Sequence, residues 1–122
     1  MTVSHKQALG RWGEAQAAEY LSQRGYLILE RNVRTAYGEL DLVARQGRAL
    51  VFVEVKTRSS TAFGLPETSV TPRKQAHLLA AAQAYLQAHP DLDGDWRVDV
   101  IAIQRRSGSQ APEIAHFENA LH

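Results

Sequence analysis

Ala49-Leu50-Val51-Phe52-Val53-Glu54-Val55-Lys56 decides how the rest of the chain is read. Apolar residues, mostly β-branched or aromatic, run on until two charges arrive near the end, the pattern of a core strand emerging at a site. Glu54 and Lys56 are two positions apart, so on a strand they share a face. Just upstream, Glu39-Leu40-Asp41-Leu42-Val43-Ala44-Arg45 alternates as a second strand, and Gln46-Gly47-Arg48 supplies a short turn. With glycine at a position that tolerates positive φ, the two strands form an antiparallel hairpin. Counting outward from the turn sets Asp41 opposite positions 53 to 55, beside Glu54.

Two carboxylates held within a few ångströms repel each other unless a cation lies between them. Mg²⁺ is the hard, oxygen-seeking ion that such a pair commonly takes. A bound ion of this kind lowers the pKa of a water and neutralises charge on a phosphodiester. Lys56 would orient that water or neutralise the phosphate, and the Val55 carbonyl would add one more oxygen ligand. The D…ExK spacing therefore points to a metal-dependent nuclease.

The resemblance of the chain to known proteins rests on several stretches together: Gly13-Glu14, Gly25-Tyr26, Asn32, Gly38-Glu39-Leu40-Asp41, Phe52 through Arg58, Lys74, the strand around Asp99, and Ala115 through Ala120. In these it resembles the PD-(D/E)xK nuclease superfamily, and more closely the UPF0102 (YraN-like) bacterial family, over nearly its whole length. The resemblance implies a restriction-endonuclease-like α/β/α sandwich around a mixed sheet. It also implies Asp41 and Glu54 as ligands of Mg²⁺ or Mn²⁺, and Lys56 as base or electrostatic helper. The proline of the superfamily motif is replaced by Leu40, which removes no ligand. The layout of helix glutamate, aspartate and ExK is similar to that of archaeal Holliday junction resolvases, implying branched DNA as one substrate in repair or recombination. That last step is analogy at the level of the fold.

Length and composition agree with this. A chain of 122 residues is read as one domain, with 44% hydrophobic and 22% charged residues in an ordinary globular balance. There is no cysteine, so disulfides and thiolate metal sites are excluded. The first residues lack the apolar core of a signal peptide and no run reaches membrane-spanning length, so the expectation is a cytoplasmic protein without membrane contact. A net charge of +1 does not advertise a strongly basic nucleic-acid binder. The distribution matters more, because Lys56, Arg58, Arg73 and Lys74 all lie near the site in sequence or expected space.

Along the chain, Ser4 is set to cap a helix to about Arg24, with Leu9, Trp12, Gly13, Ala17, Tyr20 and Leu21 at helical spacing. Strands are expected over 26–34, 39–45, 49–56 and 96–104, with a short edge strand over 114–117. Thr71-Pro72 starts a second helix that runs on to Leu86. The intervening stretch from Thr57 to Val70 is rich in Ser, Thr, Gly and Pro and is expected as a substrate-binding loop.

Read alone, Glu14 is a solvated helix residue, whereas the resemblance implies an added metal ligand from the first helix. Glu39 shares a strand face with Asp41 and is either a ligand, an outer acceptor or a surface ion pair. Arg58 is set to grip a phosphate bidentately or to pair with Glu39 or Glu67. Arg73 and Lys74 are expected to meet nucleic-acid phosphates, DNA rather than RNA, or to be solvated. Lys74 opposes the helix dipole, which favours a role beyond solvation. Asp99 is expected to make structural bonds to Arg97 or a loop amide, and His116 to be a packing residue.

Thiol, GxSxG, HExxH and P-loop chemistry are all absent. The alternative from another class is a non-catalytic nucleic-acid or protein-binding module on the nuclease fold. Symmetric cleavage of two strands would require a homodimer.

Overall fold

The computed structural model describes residues 4–59, 70–92, 94–108 and 110–121. Helix α1 spans His5–Gln23, strands β1, β2 and β3 span Leu27–Thr35, Gly38–Gln46 and Ala49–Arg58, helix α2 spans Pro72–Ala88, and β4 and β5 span Trp96–Gln104 and Glu113–Phe117. The five strands form one sheet in sequence order. All neighbours are antiparallel except β3 and β4, which are parallel, so the sheet is mixed as expected.

Local chemistry explains the element ends. The Ser4 side chain accepts from the Gln7 N–H, and the Gln7 side chain returns a bond to the Ser4 N–H, closing a capping box at the start of α1. Thr71 does the same first half for α2, accepting from the Lys74 N–H with Pro72 at the first helical position. Between β2 and β3, Gln46 faces Ala49 across a two-residue turn in which Gly47 takes φ 58°. A side chain there would be strained, so the glycine sets the hairpin register.

One helix covers each face of the sheet. Ala17, Ala18 and Leu21 of α1 pack on Leu42, Ala44, Val51, Val53, Val55, Ile101 and Ile103. Leu78, Ala81, Ala82 and Tyr85 of α2 pack on Leu40, Val43, Leu50, Phe52, Val98 and Val100. This is the α/β/α sandwich anticipated from sequence. With both faces covered, every residue from Leu50 to Val55 is buried, which is why β3 reads as an unbroken apolar run.

Strand β3 continues two residues beyond its expected end, because Thr57 and Arg58 pair with Ile103 and Gln104 of β4. Most of the expected substrate-binding loop, residues 60–69 with Glu67, lies outside the described residues. Among the described residues no helix is long and apolar enough to cross a membrane.

Candidate functional site

Strands β2 and β3 are paired only from Gln46 and Ala49 to Leu42 and Val53. Beyond that point β2 stays with β1 through Leu40, Glu39 and Gly38, while β3 stays with β4 from Glu54 to Arg58. The sheet therefore forks, and Asp41 and Glu54 stand at the fork. Asp41 Oδ2 accepts a hydrogen bond from the Val55 N–H at 2.9 Å, so a side chain takes the place of a ladder partner. On the other side of Asp41, β1 pairs with β2 at Arg31–Leu42 and Val33–Leu40 in one register, and Asn32 between these pairs takes φ 54°. Asparagine tolerates that left-handed conformation better than most residues. Strict alternation fails here too: Leu40 and Val43 join the core under α2, whereas Leu42 joins the core under α1.

Three carboxylates converge at the fork. Glu14 from α1 and Glu39 and Asp41 from β2 each offer an oxygen, all within 4.8 Å of one another. Burial, and after it the negative charge of Glu54, pushes the Asp41 carboxyl up to about 8. Glu14 is raised as well, by burial and then by Glu39 and Glu54. Glu54, only 5% exposed, differs in having cations at hand. Its Oε1 lies 2.8 Å from Lys74 Nζ and 3.5 Å from Lys56 Nζ, a hydrogen-bonded ion pair and a looser one. The two amines are driven apart. Burial and then Lys74 lower Lys56, while for Lys74 the hydrogen bonds to Glu54 and Lys56 outweigh burial and raise it. Clustered hard oxygen donors with excess negative charge suit Mg²⁺ or Mn²⁺ and do not suit a soft ion. Above them opens a cleft of about 490 Å³, lined among others by Tyr37, Glu39, Asp41, Glu54, Lys74 and His77.

The sequence model of the uncharacterised protein family UPF0102 matches residues 13–103, which contain every residue of the fork. The chain belongs to this family. It is 51% identical over 113 residues to a UPF0102 protein of Syntrophomonas wolfei, covering 93% of this chain and 96% of the relative. Similar relatives come from Syntrophotalea carbinolica, 53% identical with 93% and 91% covered, and Geobacter sulfurreducens, 48% identical with 96% and 91% covered.

In this UPF0102 chain the position of Glu14 depends on its neighbour. A Cβ on the buried Gly13 would overlap Thr57 Oγ1 and crowd Thr57 Cγ2 and Cβ, so α1 meets β3 with no room for a side chain. Threonine is β-branched and cannot swing away freely. Gly13→Ala is expected to cost about 1–3 kcal/mol through overpacking. If Glu14 helps to hold a cation at the fork, the same substitution should weaken Mn²⁺ binding measured by calorimetry. Adding Thr57→Gly should recover part of both losses. An unchanged melting temperature and Mn²⁺ affinity in Gly13→Ala would disprove this positioning role.

The structure sorts the residues of the candidate site as follows. Asp41, Glu54, Lys56, Glu14 and Glu39 come together. Val55, expected to contribute its carbonyl, reaches the site through its N–H. Lys74, expected to face phosphates, points instead to Glu54. Arg73 is exposed on the first turn of α2 and Arg58 is half-buried at the end of β3.

Sequence reading gave Glu39 no fixed role and passed over Tyr37 and His77. His77 follows Arg73 by four helical positions, a signal that was available; nothing local in the sequence showed that this helix face meets the fork. Asp99 and His116 serve structure: Asp99 accepts from Arg97 Nε at 2.9 Å, the Asn119 N–H at 2.9 Å and His116 Nε2 at 2.7 Å.

Proposed function

We propose that the chain is a Mg²⁺- or Mn²⁺-dependent nuclease of the restriction-endonuclease-like class, hydrolysing phosphodiester bonds of DNA. The observation that carries this reading is the fork, which gathers Asp41, Glu54 and Lys56 with Glu14 and Glu39, and of these Glu39, Asp41 and Glu54 line one open cleft. Glu14, Glu39 and Asp41 would hold the cation, joined by Glu54, whose Oε1 is the oxygen that faces the two lysines. When bound, the ion supplies Lewis acidity toward the phosphate and toward water.

The protein's own groups supply the remainder. Lys56, whose lowered pKa makes its amine ready to give up a proton, takes the proton of the attacking water at Nζ. Lys74 keeps its charge and balances Glu54, so the two lysines divide base and counter-ion between them. Arg58 and Arg73 bind flanking phosphates. Branched or processed DNA is the substrate suggested by the resolvase-like layout, and a homodimer would cut two strands symmetrically.

The test is cleavage of single-stranded, duplex, flap and four-way DNA by purified protein with Mg²⁺ or Mn²⁺, beside Lys56→Ala. Loss of the general base is expected to slow cutting by about 10²–10⁴-fold. No cutting of any substrate by the wild-type protein, alone or as a dimer, would reject the nuclease in favour of a binding module.

A further inference from the structure

Tyr37 stands on the rim of the acid cleft and is 54% exposed. It sits in the two-residue loop Ala36-Tyr37 between the paired residues Thr35 and Gly38. The loop is braced: Thr35 Oγ1 accepts from the Tyr37 N–H at 3.1 Å and donates to the Gly38 carbonyl at 2.8 Å. Gly38 takes φ 133°, a conformation that disfavours any side chain. The backbone beneath the ring is thus ordered before any ligand arrives, which reduces the entropy lost on binding. The other large apolar residue exposed to this degree among those described, Leu27, lies at the far end of β1.

The second wall of the cleft belongs to α2, which brings Arg73 and His77, both exposed. Arg73 makes no ion pair with any described residue, whereas Lys74 beside it is engaged by Glu54. The floor is therefore acidic and lysine-balanced, while the mouth offers a ring, a guanidinium and an imidazole. A guanidinium binds phosphate bidentately, and an aromatic ring accepts any base by stacking. In a duplex both faces of each base are already covered by its neighbours, so a base reaches such a ring only after unstacking.

We infer that the cleft receives an unpaired DNA strand, one base stacked on Tyr37 and the adjoining phosphate held by Arg73 and His77. This deepens the nuclease reading and rests on it. Single strands, flaps and frayed ends are then preferred over intact duplex, and Tyr37 is the residue that sets the preference.

The experiment is fluorescence anisotropy with a labelled mixed-sequence DNA strand, the same strand annealed to its complement, and an abasic strand of equal length, with Ca²⁺ replacing Mg²⁺. Tyr37→Ala is expected to weaken binding of the strand by about 5- to 100-fold and of duplex by less than about twofold, since stacking is lost only where a base is free. Tyr37→Trp should keep the affinity, and the abasic strand should bind wild type and Tyr37→Ala equally. Equal losses on strand and duplex, or no loss on either, overturn the inference. Cleavage of duplex by wild type, with Tyr37→Ala unaffected on every substrate, overturns it and leaves the nuclease standing. Tyr37-dependent binding of the strand with no cleavage under Mn²⁺ supports the strand site and overturns the nuclease.

Discussion

Asp41→Asn is expected to abolish metal-dependent cleavage while raising the melting temperature of the cation-free protein at pH 8. Burial first, and then the charges of Glu54, Glu14 and Glu39, hold the Asp41 carboxyl up at about 8 despite the bond from the Val55 N–H. A carboxyl whose folded pKa lies above its unfolded value of about 3.9 favours the fold while protonated, and that advantage is lost as pH rises through the folded value. Between roughly pH 4 and pH 8 the cation-free protein therefore loses stability. Asparagine never ionises and keeps an oxygen for the Val55 N–H.

The gain at pH 8 should appear as a rise of several degrees in melting temperature and should shrink towards pH 4. On the proposed metal site, saturating Mn²⁺ should stabilise wild type and not the variant, since a ligand held only by the folded protein shifts the unfolding equilibrium. Cleavage should fall by at least about 10²-fold. A variant that melts below wild type at pH 8 without cation would show that Asp41 is a structural carboxylate.

Asp99→Ala should have the opposite profile, a large loss of stability with catalysis per folded molecule preserved. Asp99 is fully buried and accepts from Arg97, His116 and the Asn119 N–H. Burial alone would raise its pKa, but the bonds from His116 and Arg97 and the Asn119 amide outweigh it and hold the carboxyl below the usual range. His116 Nε2 lies 2.7 Å from Asp99 Oδ2, and its Nδ1 lies 3.4 Å from the Tyr20 hydroxyl on the other side of the ring. Alanine would strand a guanidinium, an imidazole and an amide together, at a cost of about 3–5 kcal/mol. That is a large share of an ordinary domain's stability. It would also loosen the closing segment, where Ala120 donates to the Val98 carbonyl and Leu121 enters the core.

The pH dependence has the reverse sign to that of Asp41. A depressed carboxyl contributes stability above its unfolded pKa and loses it as pH falls through the folded value, so wild type should lose this contribution below about pH 4. Urea melts at pH 7 and pH 3 check it. A wild-type advantage over Asp99→Ala that is small at pH 7, or as large at pH 3, would contradict the assignment.

These two aspartates lie on the apolar strands that flank β3 on either side and look alike in sequence. Their surroundings separate them: Asp99 is ringed by donors and is satisfied by the protein itself, whereas Asp41 receives one amide and faces three more carboxylates. Carboxyls left unbalanced in this way mark the fork as a candidate functional site. The same contrast divides Lys56 from Lys74, one lowered and one raised beside a single glutamate.

The order of elements was legible from the chain because its signals are local: the capping residues Ser4 and Thr71, the glycine of the β2–β3 turn, and the apolar run of β3. Hairpin register follows from turn length, so the nearness of Asp41 to Glu54 and Val55 could be counted along the sequence. The D…ExK spacing and the shared face of Glu54 and Lys56 needed nothing more.

Other features depended on how the layers pack. The left-handed backbone of Asn32 and the failed alternation from Leu40 to Val43 went with the fork of the sheet. The place of Glu39 beside Glu14 required α1 to close on Thr57 through Gly13, and the turn of Lys74 toward Glu54 required α2 to cross the other face. Charges brought together by helices on opposite faces of a sheet have no periodicity of their own. Spacing along the chain could name the acids and the lysine, and only the tertiary structure could decide which carboxylates stand within reach of one another and which one the lysines pair with.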